Sequence, residues 1–357
     1  MVTASAHIGK LFDHPEEMLR LCESISPYGL YTSERVEHPI NAGLAERHDV
    51  MAHYLRYGNR LGVSGPVKEM ARRTNYFRGE LAYGPRRHPE ASRVLDHPAL
   101  LAAARNTHGL SLVVPNIVFA NVVVPGQELA PHTDVPEFLG CNRKTMPQWL
   151  VVVMLRSGLF EPWRIKIATG VTWLTQGEGG AFVCWPSGVD GPAREVSADA
   201  NTAFIVDNCS VVHAVDRFGP PDTEMPPLTP GMRLNLDIDG ASVVTDSDGR
   251  EVVRYSIDDL RVALVWKAYC FADASEQRRW ERGEDHLPIE FVIERIVDDL
   301  RNRGRVQGDV EIGPELGRLM IDEYVRYPIP VAVTGTRSAE EMDSRASSRL
   351  VSGRAVA

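Results

Sequence analysis

Between about residues 110 and 270 the chain repeats one local pattern, and that pattern constrains the fold more than any other feature. Short runs rich in β-branched and aromatic residues alternate with Gly, Pro, Asn and Asp, with no helical stretch between them. The runs are Ser111 to Val124, Gln148 to Leu155, Arg164 to Leu174, Gly180 to Trp185, Thr202 to Val206, Ser210 to Val215, Arg233 to Ile238 and Val262 to Phe271. Many short strands without crossover helices specify an antiparallel barrel or sandwich rather than a parallel βαβ sheet. No glycine-rich phosphate loop follows a strand, which removes the dinucleotide-binding and P-loop classes.

Helical periodicity flanks this region on both sides. Asp13 to Cys22, Ser64 to Ala71 and Asp96 to Arg105 each begin with a polar residue and an early Pro, as helix starts do. Ile289 to Leu300 spaces its apolar residues at helical intervals. The predicted organisation is a helical flank over 1–108, a β core over 109–272 and a second helical flank over 273–334. A tail over 335–357, poor in apolar residues, is expected to be disordered.

Composition narrows the partners. Of 357 residues 43% are hydrophobic and 24% charged, which is ordinary for a globular enzyme, and the net charge of −9 speaks against nucleic acid. No apolar run is long enough to span a bilayer. The first ten residues lack the basic and apolar regions of a secretion signal, and the five cysteines form no C-x-x-C pair. A cytoplasmic protein with reduced thiols is therefore expected, acting on a small molecule, with the flanks as the place for a lid and any homodimer contact.

Chemistry concentrates around His132-Thr133-Asp134. With 11 His and 48 acidic residues, chance alone supplies about 1.5 H-x-[DE] triplets. The chain has three, so context must decide. His14-Pro-Glu16 and His88-Pro-Glu90 carry Pro in helical or loop texture and read as helix starts or surface loops. His132-Thr-Asp134 follows a strand and a turn inside the β region, and His213 stands downstream in another strand. Two imidazoles and a carboxylate on one face of an ion leave adjacent positions open, as oxygen-activating non-haem iron requires. A buried Arg elsewhere in such a core can hold a carboxylate by a two-pronged charge-assisted bond.

The ordered series Asn121-x-x-x-Pro125-Gly126, His132-x-Asp134, Gly179-Gly180-x-Phe182, His213-x-Val215 and Gly231-x-Arg233 resembles the Fe(II)/2-oxoglutarate-dependent dioxygenases, in the style of their prolyl-hydroxylase-like branch. The resemblance covers residues 115–240. It implies a double-stranded β-helix, or jelly roll, with Fe(II) held by His132, Asp134 and His213. It further implies 2-oxoglutarate held by Arg233, O₂ as oxidant, and hydroxylation of an unactivated C–H bond with release of succinate and CO₂. Desaturation and ring closure use the same triad. Asp134 fills the position that halogenating relatives leave open for a halide.

One departure stands out. The connection from Gly219 to Pro230 is long and Pro-rich, so Arg217, Arg254 and Arg261 remain substitutes for Arg233, with Arg254 in Arg-Tyr-Ser256 the foremost. Asn121 is a further candidate for the pocket. Phe138, Arg143 and Trp149 are candidates for a loop over the iron, and Tyr76 to Gly79 for a segment reaching across it. Trp163, Trp173 and Trp185 read as core, and Cys141 as a bystander. Two alternatives share the pattern: an iron oxygenase that does not use 2-oxoglutarate, and a jelly-roll binding or sensor protein whose His/Asp set is structural.

Overall fold

The computed structural model describes residues 4–31, 36–57, 75–220, 222–224 and 226–328. The expected helix over Ser64 to Ala71 and the tail over 335–357 lie outside them. Among the described residues sixteen strands run in chain order as β1 (Ser5–Ile8), β2 (Tyr28–Leu30), β3 (Phe77–Tyr83), β4 (Arg86–Arg87), β5 (Leu112–Val123), β6 (Leu129–His132), β7 (Glu137–Phe138) and β8 (Arg164–Trp173). They continue as β9 (Phe182–Trp185), β10 (Arg194–Val196), β11 (Thr202–Val206), β12 (Val212–Val215), β13 (Arg233–Asn235), β14 (Ser242–Thr245), β15 (Glu251–Tyr255) and β16 (Arg261–Phe271).

Two antiparallel sheets face each other. The large one contains the run β11-β8-β16-β5, and the small one is β10-β9-β12-β6. Followed along the chain, β5, β8, β11 and β16 belong to the large sheet, and the connections between them pass through β6, β9–β10 and β12 of the small one. That alternation winds the chain as a double-stranded β-helix, the jelly roll the sequence implies.

β16 shows why. Its run Arg-Val-Ala-Leu-Val-Trp-Lys-Ala-Tyr-Cys-Phe is buried throughout except for the partly exposed Lys267, which is what a strand covered on both faces requires. Val262, Leu264, Trp266, Ala268 and Cys270 pack outward with the helix Pro98–His108, and the Trp266 indole donates to the Leu95 carbonyl at 3.0 Å. Ala263 points inward and packs with Val171, Trp173, Phe182 and Phe204. Each fully buried Val or Leu of this kind contributes about 1.5–3 kcal/mol. The small sheet's outer face, including Val183, Trp185, Val212 and Ala214, is covered by the helices Gln148–Ser157, Ile289–Asn302 and Pro314–Tyr324.

Three findings differ from the sequence expectation. Gln148–Ser157 is a helix, not a strand. Gln148 through Met154 are all buried, and a short run that is apolar all round carries no period to separate the two conformations. The N-terminal region also supplies β1, β2 and β3 to the large sheet rather than helices alone. Third, β13, β14 and β15 form a meander inserted between the core strands β12 and β16, pairing back onto β2. Among the described residues no helix is long and apolar enough to cross a membrane.

Candidate metal centre

His132 ends β6 and His213 stands on β12, and the two residues are direct register partners. Their ring centroids lie 4.4 Å apart, and Phe182 stacks on His213 at 5.3 Å. Asp134 follows one residue past Thr133, and its backbone N–H donates to the Asn208 carbonyl at 2.9 Å. One ligand-capable atom from each of His132, Asp134 and His213 lies within 4.8 Å of the others.

The surrounding bonds aim these atoms. The Nδ1 of His132 contacts the Ala130 carbonyl at 2.5 Å, and that of His213 the Val211 carbonyl at 3.0 Å. A protonated Nδ1 bonded to a carbonyl leaves the Nε2 lone pair for a metal. On Asp134, Oδ2 accepts from Lys267 at 2.7 Å and from Thr169 at 3.4 Å. Oδ1 stands 3.8 Å from the His213 Nε2. Arg47 braces the turn from outside: it donates to the Thr133 carbonyl at 3.0 Å and pairs with the buried Asp49, which also accepts from the Tyr327 hydroxyl at 2.5 Å.

Charge states fit a cation. Burial first, then His213 and Arg47, push His132 down to about 3, and burial likewise lowers His213. Both imidazoles are thus neutral, the form that binds metal. Burial alone would raise Asp134, but Lys267 and His213 outweigh it and hold the carboxylate well below its usual range.

These shifts set the acid behaviour of the metal-free chain. The unfolded histidines bind protons below about 6.5, whereas folded His132 does not until about 3 and folded His213 is likewise lowered. The unfolded state therefore takes up more protons, and stability is expected to fall as pH drops from about 6.5 toward 3. Asp134 adds to the loss below its unfolded value. Denaturant midpoints measured across this range should fall more steeply for the parent chain than for a His132→Ala/His213→Ala variant, and equal slopes would contradict it.

The structure brings His132, Asp134 and His213 together but places the proposed carboxylate holders differently. Arg233 is exposed on β13, opposite Gly29 and Thr245, because the long connection carries it into the inserted meander rather than the barrel. Arg254 is exposed on β15 and paired with Glu251. Arg217 donates to the Thr223 carbonyl at the surface. Arg261, at the start of β16, is buried and shares the inward side of that strand with Ala263 and Lys267. Among the described residues its Nε and Nη2 have no hydrogen-bond partner, and burial alone lowers it to about 10. Room for it comes from Gly180, at φ 66°, where a Cβ would lie 2.9 Å from the Arg261 Cδ. Asn121 is buried in register with Ala263, with its Oδ1 unpartnered.

Beside the triad lies a cavity of about 950 Å³, counting its open mouth, lined by His132, Asp134, Lys267, Tyr76, Arg78 and Arg143 among others. Tyr76 and Arg78 thus reach it from the N-terminal region as expected. Trp149 does not: it is fully buried and donates to Asn41 at 2.9 Å. Phe138 is buried in the same outer core. The Cys141 thiol, pushed up to about 12 by burial, packs on Met146 and is inert. Sequence reasoning missed Arg47, Thr169 and Lys267.

No protein-family model matches the chain, and no curated protein does. Solved structures give distant likenesses. An oxidoreductase of the 2OG-Fe(II) oxygenase family from Burkholderia pseudomallei is 9% identical over 74% of this chain and 84% of its own, at a TM-score of 0.39. HygX from Streptomyces hygroscopicus, with nickel and 2-oxoglutarate bound, is 9% identical over 75% and 84%, at 0.36. A Pseudomonas putida prolyl-4-hydroxylase is 15% identical over 71% and 98%, at 0.29. At such values the jelly roll rests on its own strand order and the site on its own geometry.

Proposed function

We propose that this chain is a non-haem Fe(II)- and 2-oxoglutarate-dependent oxygenase that hydroxylates an unactivated C–H bond of a small molecule. The observation that carries the reading is the convergence of ligand atoms of His132, Asp134 and His213 within 4.8 Å of one another, with His132 and Asp134 on the wall of a cavity. His132, Asp134 and His213 hold the metal in this reading. The bound metal and co-substrate supply the oxidation of the C–H bond by O₂, with 2-oxoglutarate leaving as succinate and CO₂.

The protein's residues position and shield. Lys267 and Thr169 hold the outer oxygen of Asp134, leaving Oδ1 for the metal. Arg47 fixes the turn that carries the ligand pair. Arg261 takes the far carboxylate of 2-oxoglutarate, a group that would satisfy its buried and unpartnered Nε and Nη2, and Asn121 lines the way. Because Asp134 occupies the carboxylate position, an oxygenated product is expected and a chlorinated one is not.

The test is succinate formation by the full chain supplied with Fe(II), O₂ and 2-oxoglutarate, across a panel of small organic substrates. Substrate-stimulated succinate supports the reading. Metal binding with no metal-dependent binding of 2-oxoglutarate would point to an oxygenase that does not use it. Absence of metal binding would leave a jelly-roll binding protein.

A further inference from the structure

The cavity mouth has a character that the triad does not require. Three rings stand in file along it. Tyr31 and Tyr76 stack at 5.3 Å with 22° between planes, and Tyr76 and Phe119 at 6.3 Å with 18°. The cations of the lining are Arg47, Arg78, Arg143 and Lys267, against the anions Asp134 and Glu137. Asp49 and Glu80, just behind the wall, balance Arg47 and Arg78.

Three of those cations are already engaged: Arg47 with Asp49, Arg78 with Glu80 and Lys267 with Asp134. Arg143 is not. Its half-buried guanidinium donates to the Tyr31 hydroxyl at 3.0 Å and lies 5.3 Å from the Tyr83 ring centre. Among the described residues no carboxylate stands within ion-pairing distance of it. Glu137 instead accepts from the Tyr269 hydroxyl at 3.0 Å. Lys144 adds another positive charge over Tyr83 at 4.4 Å.

We propose that Arg143 and the Tyr31–Tyr76–Phe119 file recognise the substrate, and that the substrate is a small organic carboxylate with a flat, apolar body. The inference rests on the oxygenase reading and specifies its substrate class. A carboxylate on Arg143 forms a charge-assisted pair in a partly desolvated mouth, stronger than the neutral phenol contacts it has now. The rings stack on one another and Arg78 covers the Phe119 face at 3.7 Å, so the file presents its edges, and these give a flat body an oriented apolar contact. A cationic substrate would meet Arg143 and Lys144 at the entrance. Arg261 does not line this cavity, so a substrate carboxylate on Arg143 would not compete with the role proposed for Arg261.

The probes are 3-phenylpropionate and its uncharged amide, titrated calorimetrically into the full chain loaded with Ni(II) and 2-oxoglutarate, which does not turn over. The carboxylate is expected to bind at least tenfold tighter than the amide. Arg143→Gln should bring the ratio close to one and leave Ni(II) and 2-oxoglutarate binding unchanged, Arg143→Lys should keep part of the preference, and Tyr76→Leu should weaken both probes alike. A ratio near one in the unmodified chain overturns the proposal without reference to any variant, as does a ratio that survives Arg143→Gln in a variant of unchanged thermal midpoint. Loss of 2-oxoglutarate binding in Arg143→Gln would assign this arginine to the co-substrate, ending the proposal while the oxygenase reading stands. Failure of the chain to take up Ni(II) would end that reading instead, and the same ratio on the metal-free chain would still decide the role of Arg143.

Discussion

Replacing His132 and His213 together by Ala is expected to abolish binding of one divalent metal ion per chain while leaving the two-sheet fold in place. Both side chains tie their Nδ1 atoms to carbonyls two residues back, the His213 Nε2 faces Asp134 at 3.8 Å, and ligand atoms of all three residues lie within 4.8 Å of one another. Removing them leaves one carboxylate already bonded to Lys267, and a single carboxylate does not hold iron against water. The fold should survive because the large apolar clusters under the helices, not the cavity lining, carry the burial. Two readouts check this. Metal analysis after dialysis should fall from one equivalent to none. Added Ni(II) should raise the parent's thermal midpoint, since an ion at a hundred times its dissociation constant stabilises the folded state by about 2.7 kcal/mol, and should not move that of the variant. Full occupancy in the double variant would mean that the ligands are elsewhere.

The parts of this site that are legible in the sequence are those set by local order. His132-Thr-Asp134 sits at a strand end, where the turn after the last paired residue lets two side chains converge, and His213 lies in a β-branched run that names its own strand. Lys267, Thr169 and Arg47 are equally close to the site but reach it from 133, 35 and 86 residues away from their partners. Nothing local marks them. Gln148–Ser157 misleads for another reason: Val151, Val152 and Val153 favour a strand individually, yet the segment is buried on every side as a helix. Tertiary burial overrode propensity there.

The arginine assignment turns on the same contrast. Arg233 and Arg261 both open a strand after a turn, and Arg233 is nearer to His213 in sequence. β13 has only three residues, with both ends exposed, whereas β16 has eleven, apolar but for Arg261 and Lys267 and buried almost throughout. The long apolar run, interrupted only by Lys267, was the available sign of a core strand, because a strand covered on both faces needs one. Arg261→Ala is therefore expected to weaken 2-oxoglutarate binding to the metal-loaded chain by ten- to over a hundredfold. A charge-assisted pair of this kind contributes about 1.5–3 kcal/mol, and about 1.4 kcal/mol is a factor of ten. Arg233→Ala and Arg254→Ala should leave the affinity unchanged, since both side chains are solvated on the inserted meander. Arg261→Lys keeps the charge but loses the fork, and should fall between. The folded state offers an internal control. Among the described residues the Arg261 Nε and Nη2 have no hydrogen-bond partner and the side chain has no ion pair, so Arg261→Ala should not lower the thermal midpoint of the unliganded chain by the margin expected for breaking a buried ion pair. The stabilisation that 2-oxoglutarate gives the parent should nevertheless disappear. Unchanged affinity in Arg261→Ala, with weakened affinity in Arg233→Ala, would place the co-substrate outside the barrel.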